Sequence, residues 1–353
     1  MTRRLLSVLA ILLVIAPAAA AQEGLAPAEA LRMALARVLD KAAGLGPLKT
    51  VVVAMDGEVV AERGYRGHAT TAPTNIKSAS KTIISALVGI AIDKGVLKGV
   101  DQKIAPILRS HLPEDPDPRI DEITIGHLLS MQAGLGRTSG PNYGRWVQSR
   151  DWVRAALAMP FDGEPGGQML YSTGSTHLLS AILTRAGGRS TLELAREWLG
   201  PLEDFSIAAW ERDPQGFYLG GNQMAMSPRS LLAFGELYRN GGRTPEGQQL
   251  VSREWVETSW RQRTNSRYTG DGYGYGWFLS HARGWNVAYA RGYGGQMLYI
   301  VPDLGLTVVM TSEEDNPSAR NGHRDDLHAL LAEIIGAVEA GGQAGDAGTA
   351  REG

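Results

Sequence analysis

Strand-like segments occur at the two ends of this chain and are separated by a long helical region. Near the start, residues 50–55 and 58–63 flank an Asp56-Gly57 turn, which is typical of a β-hairpin. Near the end, strand patterns cover 274–279, 287–289, 297–301 and 307–311. Because strands must pair to satisfy their backbone, both ends are expected to form one antiparallel sheet.

The expected fold class is therefore α+β, built on one antiparallel sheet. The sheet would be flanked by helices at 26–43 and 325–337. We place the α/β part at 22–100 and 271–340, with a mostly helical insertion at 101–270. The Gly- and Ala-rich tail, 341–353, is expected to be disordered.

Charge and cysteine content exclude several classes of function. The net charge is −2 and no basic run occurs, so nucleic acid is not an expected partner. With no cysteine among 353 residues, disulfides, thiolate zinc sites and a cysteine nucleophile are excluded. Histidines and carboxylates show no metal-binding spacing, so neither a metal nor an organic cofactor is expected.

The N-terminus has the pattern of a secretory signal peptide at 1–21. Arg3 and Arg4 precede an apolar segment, Leu5 to Ile15, and three alanines precede Gln22. The apolar run is short for a spanning helix. We expect cleavage, export to a bacterial periplasm or beyond, and no integral membrane segment afterwards.

A Ser78-x-x-Lys81 pair lies where an apolar helix begins. Hydrophobic residues at 84, 87, 88, 91 and 92 have helical spacing, so Lys81 would lie on the same side as Ser78, one turn away. Serine is a weak nucleophile until a neighbour takes its proton, and a buried lysine can do so. The alternative is a helix-capping serine followed by a surface lysine. Ser80 has no lysine three residues further on.

Two further motifs follow in the chain. Tyr171 precedes a helix predicted at 176–186, and its phenol could relay a proton between nucleophile and leaving group. The run from Arg291 to Gln296 is rich in glycine and leads into a strand, whose edge could offer an N–H group to an oxyanion. A packed tyrosine and a plain turn are the alternatives.

In this order, Ser78-x-x-Lys81, Tyr171-x-Thr173 and Tyr293-Gly294-Gly295 resemble the serine β-lactamase and penicillin-binding-protein superfamily. The tyrosine in the second motif resembles the class C branch. The run Gly292 to Gln296 ahead of the strand at 297–301 is most similar to aminohexanoate-oligomer hydrolases and related esterases. The resemblance covers about residues 30 to 335.

The resemblance implies roles for particular residues. Ser78 would be acylated, Lys81 would accept its proton, and Tyr171 would act as general acid and base. The backbone N–H groups of Ser78 and Gln296 would form the oxyanion hole. Substrate-binding positions would be Thr173, Arg291, Tyr293, Gly294 and Gly295.

Two departures from the family pattern affect substrate recognition. Thr173 replaces an asparagine, and Tyr293 replaces the lysine that lies near a substrate carboxylate in the family. Arg291, two residues earlier on a strand, would project to the same face as Tyr293 and could restore the charge. We therefore expect weak or no β-lactam hydrolysis, and a preference for an ester or amide without an obligatory carboxylate.

The sequence thus predicts an exported serine hydrolase acting on a small-molecule amide or ester; its oligomeric state is open. One alternative is a class C β-lactamase or D-alanyl-D-alanine carboxypeptidase. Another is an inactive protein that binds cell-wall peptides. A Ser-His-Asp triad is not favoured, because no Gly-x-Ser-x-Gly elbow occurs and His177 falls within a helical pattern where a packed role is expected.

Overall fold

A computed structural model describes residues 27–349. The expected signal peptide at 1–21 and the last residues, 350–353, lie outside the described residues. The helices α1 to α10 span Pro27–Ala42, Lys81–Asp93, Ile125–Leu129, Tyr143–Val147, Trp152–Leu157, Thr173–Gly187, Thr191–Trp198, Pro228–Arg239, Arg253–Ser259 and His323–Thr349. The strands β1 to β11 span Leu48–Met55, Glu58–Gly64, Thr74–Asn75, Ala209–Trp210, Met224–Met226, Thr264–Asn265, Gly272–Tyr273, Phe278–Ala282, Trp285–Gly292, Gln296–Val301 and Leu306–Ser312.

Eight strands from the two ends of the chain form one antiparallel sheet, which confirms the expected fold class. Their order is β2-β1-β11-β10-β9-β8-β7-β6. The first strand pairs with the last, in a register that sets Val51 opposite Met310. A second sheet of three short strands, β3-β5-β4, joins residues 74–75 to the helical region, and it was not predicted.

Successive side chains of the central strands point to opposite faces of the sheet and pack into two separate hydrophobic cores. Val51 and Met310 face α1 and α10, where they pack with Leu35 and Ile334. Residues on the other face, such as Val52, pack with α8 and α2. Because both faces are covered, β1, β10 and β11 are apolar along most of their length.

Helix α2 lies at the centre of the second core. Every residue from Lys81 to Ala91 is buried, as expected of a helix that is apolar on all sides. The helices around it approach closely. A Cβ atom on Gly89 would lie 2.3 Å from the Trp255 ring, so this position accepts only glycine without a shift. Helix α2 is therefore tightly enclosed by its neighbours.

The C-terminal helix is longer than predicted. It continues from His323 to Thr349, through part of the segment for which disorder was expected, and the alanines there favour helix. Helices α7 and α9 were also not predicted. Within residues 27–349, no helix combines the length and apolarity needed to cross a bilayer.

Candidate active site

Ser78 lies in a tight turn directly before α2. Residues Lys77–Ser80 form one 3₁₀ turn, and α2 begins at Lys81. Lys77 has a positive φ of 51°, an uncommon conformation for a side chain other than glycine. The side chain of Asn75 holds this conformation by accepting the Lys77 N–H at 2.9 Å. The turn thus exposes Ser78 to a cleft while the chain enters a buried helix.

Lys81 is the buried neighbour of Ser78. Its side chain is 1% exposed, and its Nζ lies 3.1 Å from the Ser78 Oγ. The same nitrogen donates to the Gly221 carbonyl at 2.6 Å and lies 3.4 Å from the Thr173 Oγ1. Burial lowers the pKa of Lys81 to about 7, because the ammonium form is poorly solvated there. A substantial fraction is therefore neutral near pH 7 and can accept a proton.

Tyr171 stands on the other side of Ser78, just ahead of α6. Its ring stacks on Phe278 at 6.1 Å and lies 5.2 Å from the Lys81 Nζ. Burial raises the pKa of the Tyr171 phenol, while a hydrogen bond with Ser78 and the charges of Arg291 and Arg137 oppose that rise. The phenol is protonated at neutral pH and can therefore donate as well as relay a proton.

Thr173 begins α6 and is tied to the same group of side chains. Besides its contact with Lys81, its Oγ1 lies 3.0 Å from the Ser139 Oγ, which also accepts the Thr173 N–H at 2.8 Å. Thr173 is 3% exposed. These hydrogen bonds therefore fix the Thr173 side chain beside Lys81, and little of its surface is accessible to a substrate.

The glycine-rich motif at residues 291–296 lies only partly in the cleft. Strand β9 ends at Gly292, which approaches the Ser78 turn so closely that a Cβ there would lie 2.3 Å from the Ile76 carbonyl. Arg291 and Tyr293 line the cleft on either side of this contact. The Arg291 guanidinium lies over the Phe278 ring at 4.9 Å, and the Tyr293 side chain is 51% exposed.

Three residues of this motif do not line the cleft, contrary to expectation. Gln296 is fully buried, and its side-chain amide donates to the Ser312 carbonyl at 2.8 Å. Gly294 and Gly295 turn away with φ angles of 85° and 111° and pack against Glu313 and Ser312. The reason is that the turn after β9 directs residues 294 and 295 away from the cleft, and residue 296 already belongs to β10.

Two backbone N–H groups, those of Ser78 and Tyr293, are available to bind an oxyanion. The N–H of Ser78 and that of Tyr293 donate to no other backbone group in the part of the chain that the structure describes. Tyr293 follows Gly292, the residue in contact with the Ser78 turn. Tyr293 is therefore a candidate for the oxyanion contact, in addition to the Gln296 that the sequence predicted.

The cleft around these residues has a volume of about 810 Å³. Its lining contains several cations and no Asp or Glu side chain. Sequence reasoning identified only Arg291 among them. The cationic lining residues are Lys77, Arg137, Arg291, Arg320 and Arg324.

These cations differ in how they are held. Arg137 donates to the Tyr171 carbonyl at 2.9 Å and stacks on Tyr268, and Arg324 pairs with Asp325. No carboxylate partner of Lys77, Arg291 or Arg320 occurs within residues 27–349. No group of three or more His, Asp or Glu side chains in this part of the chain is arranged to hold a metal.

Fold and cleft together define a serine hydrolase of the β-lactamase/transpeptidase type. The chain belongs to the Beta-lactamase family, whose model matches residues 41–333. A curated relative, the 6-aminohexanoate-dimer hydrolase of Paenarthrobacter ureafaciens, is 24% identical over 299 residues, or 77% of this chain and 74% of the relative. The predicted family is thereby confirmed.

Solved structures share the fold. EstCE1, described as a hydrolase with promiscuous acyltransferase activity, superposes with a TM-score of 0.70 at 18% identity, covering 88% of this chain and 99% of that one. A penicillin-binding protein homologue from Caulobacter crescentus gives 0.68 at 17% identity, covering 87% and 97%. The fold is therefore shared by a protein described as a hydrolase and by a penicillin-binding protein homologue, and the choice between such functions depends on the cleft.

Proposed function

We propose that this protein cleaves an amide or ester bond through an acyl-enzyme on Ser78. The observation that carries the proposal is the Lys81 amine, which is buried, has a pKa of about 7 and lies 3.1 Å from the Ser78 Oγ. A lysine at the surface would be an ammonium ion at this pH and could not act as a base.

In the first half-reaction, the Ser78 Oγ attacks the substrate carbonyl while Lys81 takes its proton. The N–H groups of Ser78 and Tyr293 stabilise the oxyanion. Tyr171 donates a proton to the leaving amine or alcohol as the carbonyl re-forms. In the second half-reaction, water attacks the ester of Ser78 and gives a proton to the Tyr171 phenolate. The Lys81 ammonium returns its proton to the Ser78 Oγ as the acid is released.

Covalent labelling tests the nucleophile. A fluorophosphonate probe should add one phosphonyl group to the wild type, detected by intact mass, and none to Ser78→Ala. Ser80→Ala is the matched control, because Ser80 is two residues away and its hydroxyl only donates to the Lys77 carbonyl. Labelling of Ser78→Ala would contradict the proposal by showing another reactive nucleophile. No labelling of the wild type would contradict it and favour the inactive peptide-binding alternative.

The charge of the cleft favours an acidic substrate. Five cationic side chains and no carboxylate line it, so a substrate carboxylate gains attraction and an ammonium group meets repulsion. The relative from Paenarthrobacter is named for a dimer of an amino acid, which has a carboxylate at one end and an amine at the other; this cleft would attract the carboxylate and repel the amine. The position of Arg291 also keeps the β-lactamase or carboxypeptidase alternative open, although Tyr293 in place of lysine argues for weak β-lactam hydrolysis.

Three p-nitrophenyl esters of equal chain length distinguish these substrates. They should end in a carboxylate, a methyl group and an ammonium group. We expect kcat/KM to fall in that order, and to exceed the value for a chromogenic cephalosporin. The reverse order would overturn the acidic-substrate proposal, and rapid cephalosporin turnover would favour the β-lactamase alternative.

Export is a further part of the proposal. It rests on the two arginines, the apolar segment and the alanines within residues 1–21. Expression of the full chain in a bacterium should yield a periplasmic protein whose N-terminal residue is Gln22. A cytoplasmic protein that retains residue 1 would contradict it.

A further inference from the structure

The buried side chains of His177 and Asp213 form a hydrogen-bonded pair behind the active site. Both are fully buried, and the His177 Nε2 lies 3.0 Å from one carboxylate oxygen of Asp213. The other oxygen accepts the backbone N–H groups of Gln215 and Phe217, each at 2.9 Å. A buried carboxylate is costly unless its oxygens are satisfied, and here three donors satisfy it.

The second nitrogen of His177 contacts the loop that holds Lys81. The Gly220 N–H donates to the His177 Nδ1 at 3.4 Å. An acceptor Nδ1 carries no proton, so the neutral ring carries its proton on Nε2 and donates it to Asp213. Asp213 therefore fixes the tautomer that Gly220 needs.

The next residue, Gly221, is the backbone partner of Lys81. Its carbonyl accepts the Lys81 ammonium or amine at 2.6 Å. The loop has little freedom to move, since a Cβ on Gly220 would lie 2.1 Å from the Thr176 carbonyl. On Gly221, where φ is 80°, a Cβ would lie 2.7 Å from the Lys81 Cγ.

The orientation of Lys81 matters because a base must point its lone pair at the proton it takes. With one N–H directed at the Gly221 carbonyl, the neutral amine can direct its lone pair at the Ser78 Oγ. The rings of Trp146 and Trp152 pack edge-on against His177, with centroids at 5.5 and 5.8 Å. They keep water from competing for its hydrogen bonds.

We infer that His177 and Asp213 are positioning residues for Lys81, which act by holding Gly220 and Gly221 so that the Gly221 carbonyl orients the Lys81 amine toward Ser78. The inference rests on the proposed roles of Ser78 and Lys81. A purely structural pair would stabilise the helical region without affecting the base.

Two substitutions at one position separate the two roles. His177→Asn keeps an oxygen near the position of Nδ1 for the Gly220 N–H but does not reach Asp213. His177→Gln reaches toward Asp213 but offers Gly220 no acceptor at that position. Asp213→Asn keeps the volume of the carboxylate and disturbs the tautomer of His177. The matched control is His111→Gln, which breaks another His–Asp pair because His111 contacts Asp151 through Nδ1, at 3.1 Å.

The readouts are kcat and KM, with enzyme concentration counted as fluorophosphonate-reactive sites so that only folded enzyme contributes, and the pH profile of kcat/KM. His177→Gln and Asp213→Asn should lower kcat by about 10- to 100-fold with KM little changed, because the base is misplaced. In both variants the acid limb of the kcat/KM profile should move to higher pH. A loosened loop lets water solvate the Lys81 ammonium, which raises the pKa of Lys81. Tyr171 is the titratable side chain that faces Lys81, and all variants retain it. His177→Asn should restore most of kcat.

Equal losses in His177→Asn and His177→Gln, with an unmoved acid limb, would overturn the inference and leave a packing role. The same conclusion follows if His111→Gln reproduces the kinetic effects. If His177→Gln does not fold, Asp213→Asn decides by the same two readouts. Failure of the proposed function looks different, because Ser78→Ala would then keep the activity of the wild type.

Discussion

The two sides of the cleft differ in how firmly their charged groups are held. On the inner side, Lys81 is 1% exposed and its amine has three polar neighbours. On the outer side, Tyr293 is half exposed and Arg320 projects into solvent without a carboxylate partner in the described part of the chain. Burial sets the protonation state of the Lys81 amine on the inner side. The exposed cations on the outer side can attract a substrate only over a distance, through solvent. The inner side is suited to reaction and the outer side to recognition.

The largest effect is expected at Lys81. Lys81→Met keeps the volume of the side chain and removes the base, so kcat/KM should fall by about 10³- to 10⁴-fold. In the wild type, kcat/KM should rise with pH through about 7, where Lys81 loses its proton. Steady-state kinetics between pH 5 and 9 check both expectations. Lys103→Met, at an exposed lysine, is the control, and a wild-type profile that is flat across pH 7 would contradict the assignment of the base.

Tyr171→Phe should cost less, about 10²- to 10³-fold in kcat, because Lys81 can still start the reaction while the leaving group lacks its acid. Substrates with good leaving groups need little protonation, so the loss should shrink from an anilide to a p-nitrophenyl ester. Tyr65→Phe is the control, since that phenol is buried elsewhere and donates to the Leu39 carbonyl. An equal loss for both leaving groups would show that Tyr171 does not act as the acid.

Arg291 tests whether recognition extends to the inner side. One of its guanidinium nitrogens is buried and has no hydrogen-bond partner within residues 27–349, although its charge lies near Tyr171. Arg291→Gln should raise KM for a carboxylate-bearing ester by roughly 10- to 100-fold, the value of a charge-assisted hydrogen bond, and leave a neutral ester unaffected. Arg291→Lys should recover part of the loss. A similar KM increase for both esters would mean that Arg291 supports packing on Phe278 instead.

The inner side could largely be predicted from the sequence, and the outer side could not. Ser78 and Lys81 are linked by helical spacing, and Tyr171 by its place ahead of a helix, so local patterns were sufficient. The Gly221 carbonyl that holds Lys81 is a backbone group, and no residue type signals it. Arg137, Arg320 and Arg324 come from loops and a helix start whose positions depend on tertiary packing.

The fold class was predicted correctly, but some of its elements were missed for related reasons. Strands β3 to β5 have two or three residues each, too few for a period-two pattern to be recognised. Helix α7 carried a usable signal, because Ser190 and Glu193 form a capping box at its start. The Tyr293 N–H was missed because the tight turn after Gly292 decides which N–H faces Ser78, and such turns depend on φ angles rather than on residue spacing.

Burial of Lys81 should also be visible in stability. Its folded-state pKa of about 7 lies below the unfolded value of 10.5, so between these pH values the unfolded chain binds more protons. The cost of burial is therefore full below pH 7 and is lost as the pH rises to 10.5. At pH 7, Lys81→Met should raise the free energy of unfolding by about 1–3 kcal/mol, after the loss of hydrogen bonds to Ser78 and Gly221. Urea unfolding at pH 7 and pH 10 checks this, and a gain that does not shrink at pH 10 would contradict it.

The smallest effect is expected at Arg320, and salt distinguishes it from that at Arg291. Because Arg320 is exposed, Arg320→Gln should raise KM for the carboxylate-bearing ester by only about two- to threefold, as for other exposed charge pairs. At about 1 M salt the screening length falls to roughly 3 Å, and the effect should disappear, while that of Arg291→Gln should largely persist. Arg37→Gln, on the exposed surface of α1, controls for net charge. If salt abolished both KM effects equally, Arg291 would be as solvated as Arg320. The charged side chains of the cleft would then not divide into a buried reacting side and an exposed recognition side.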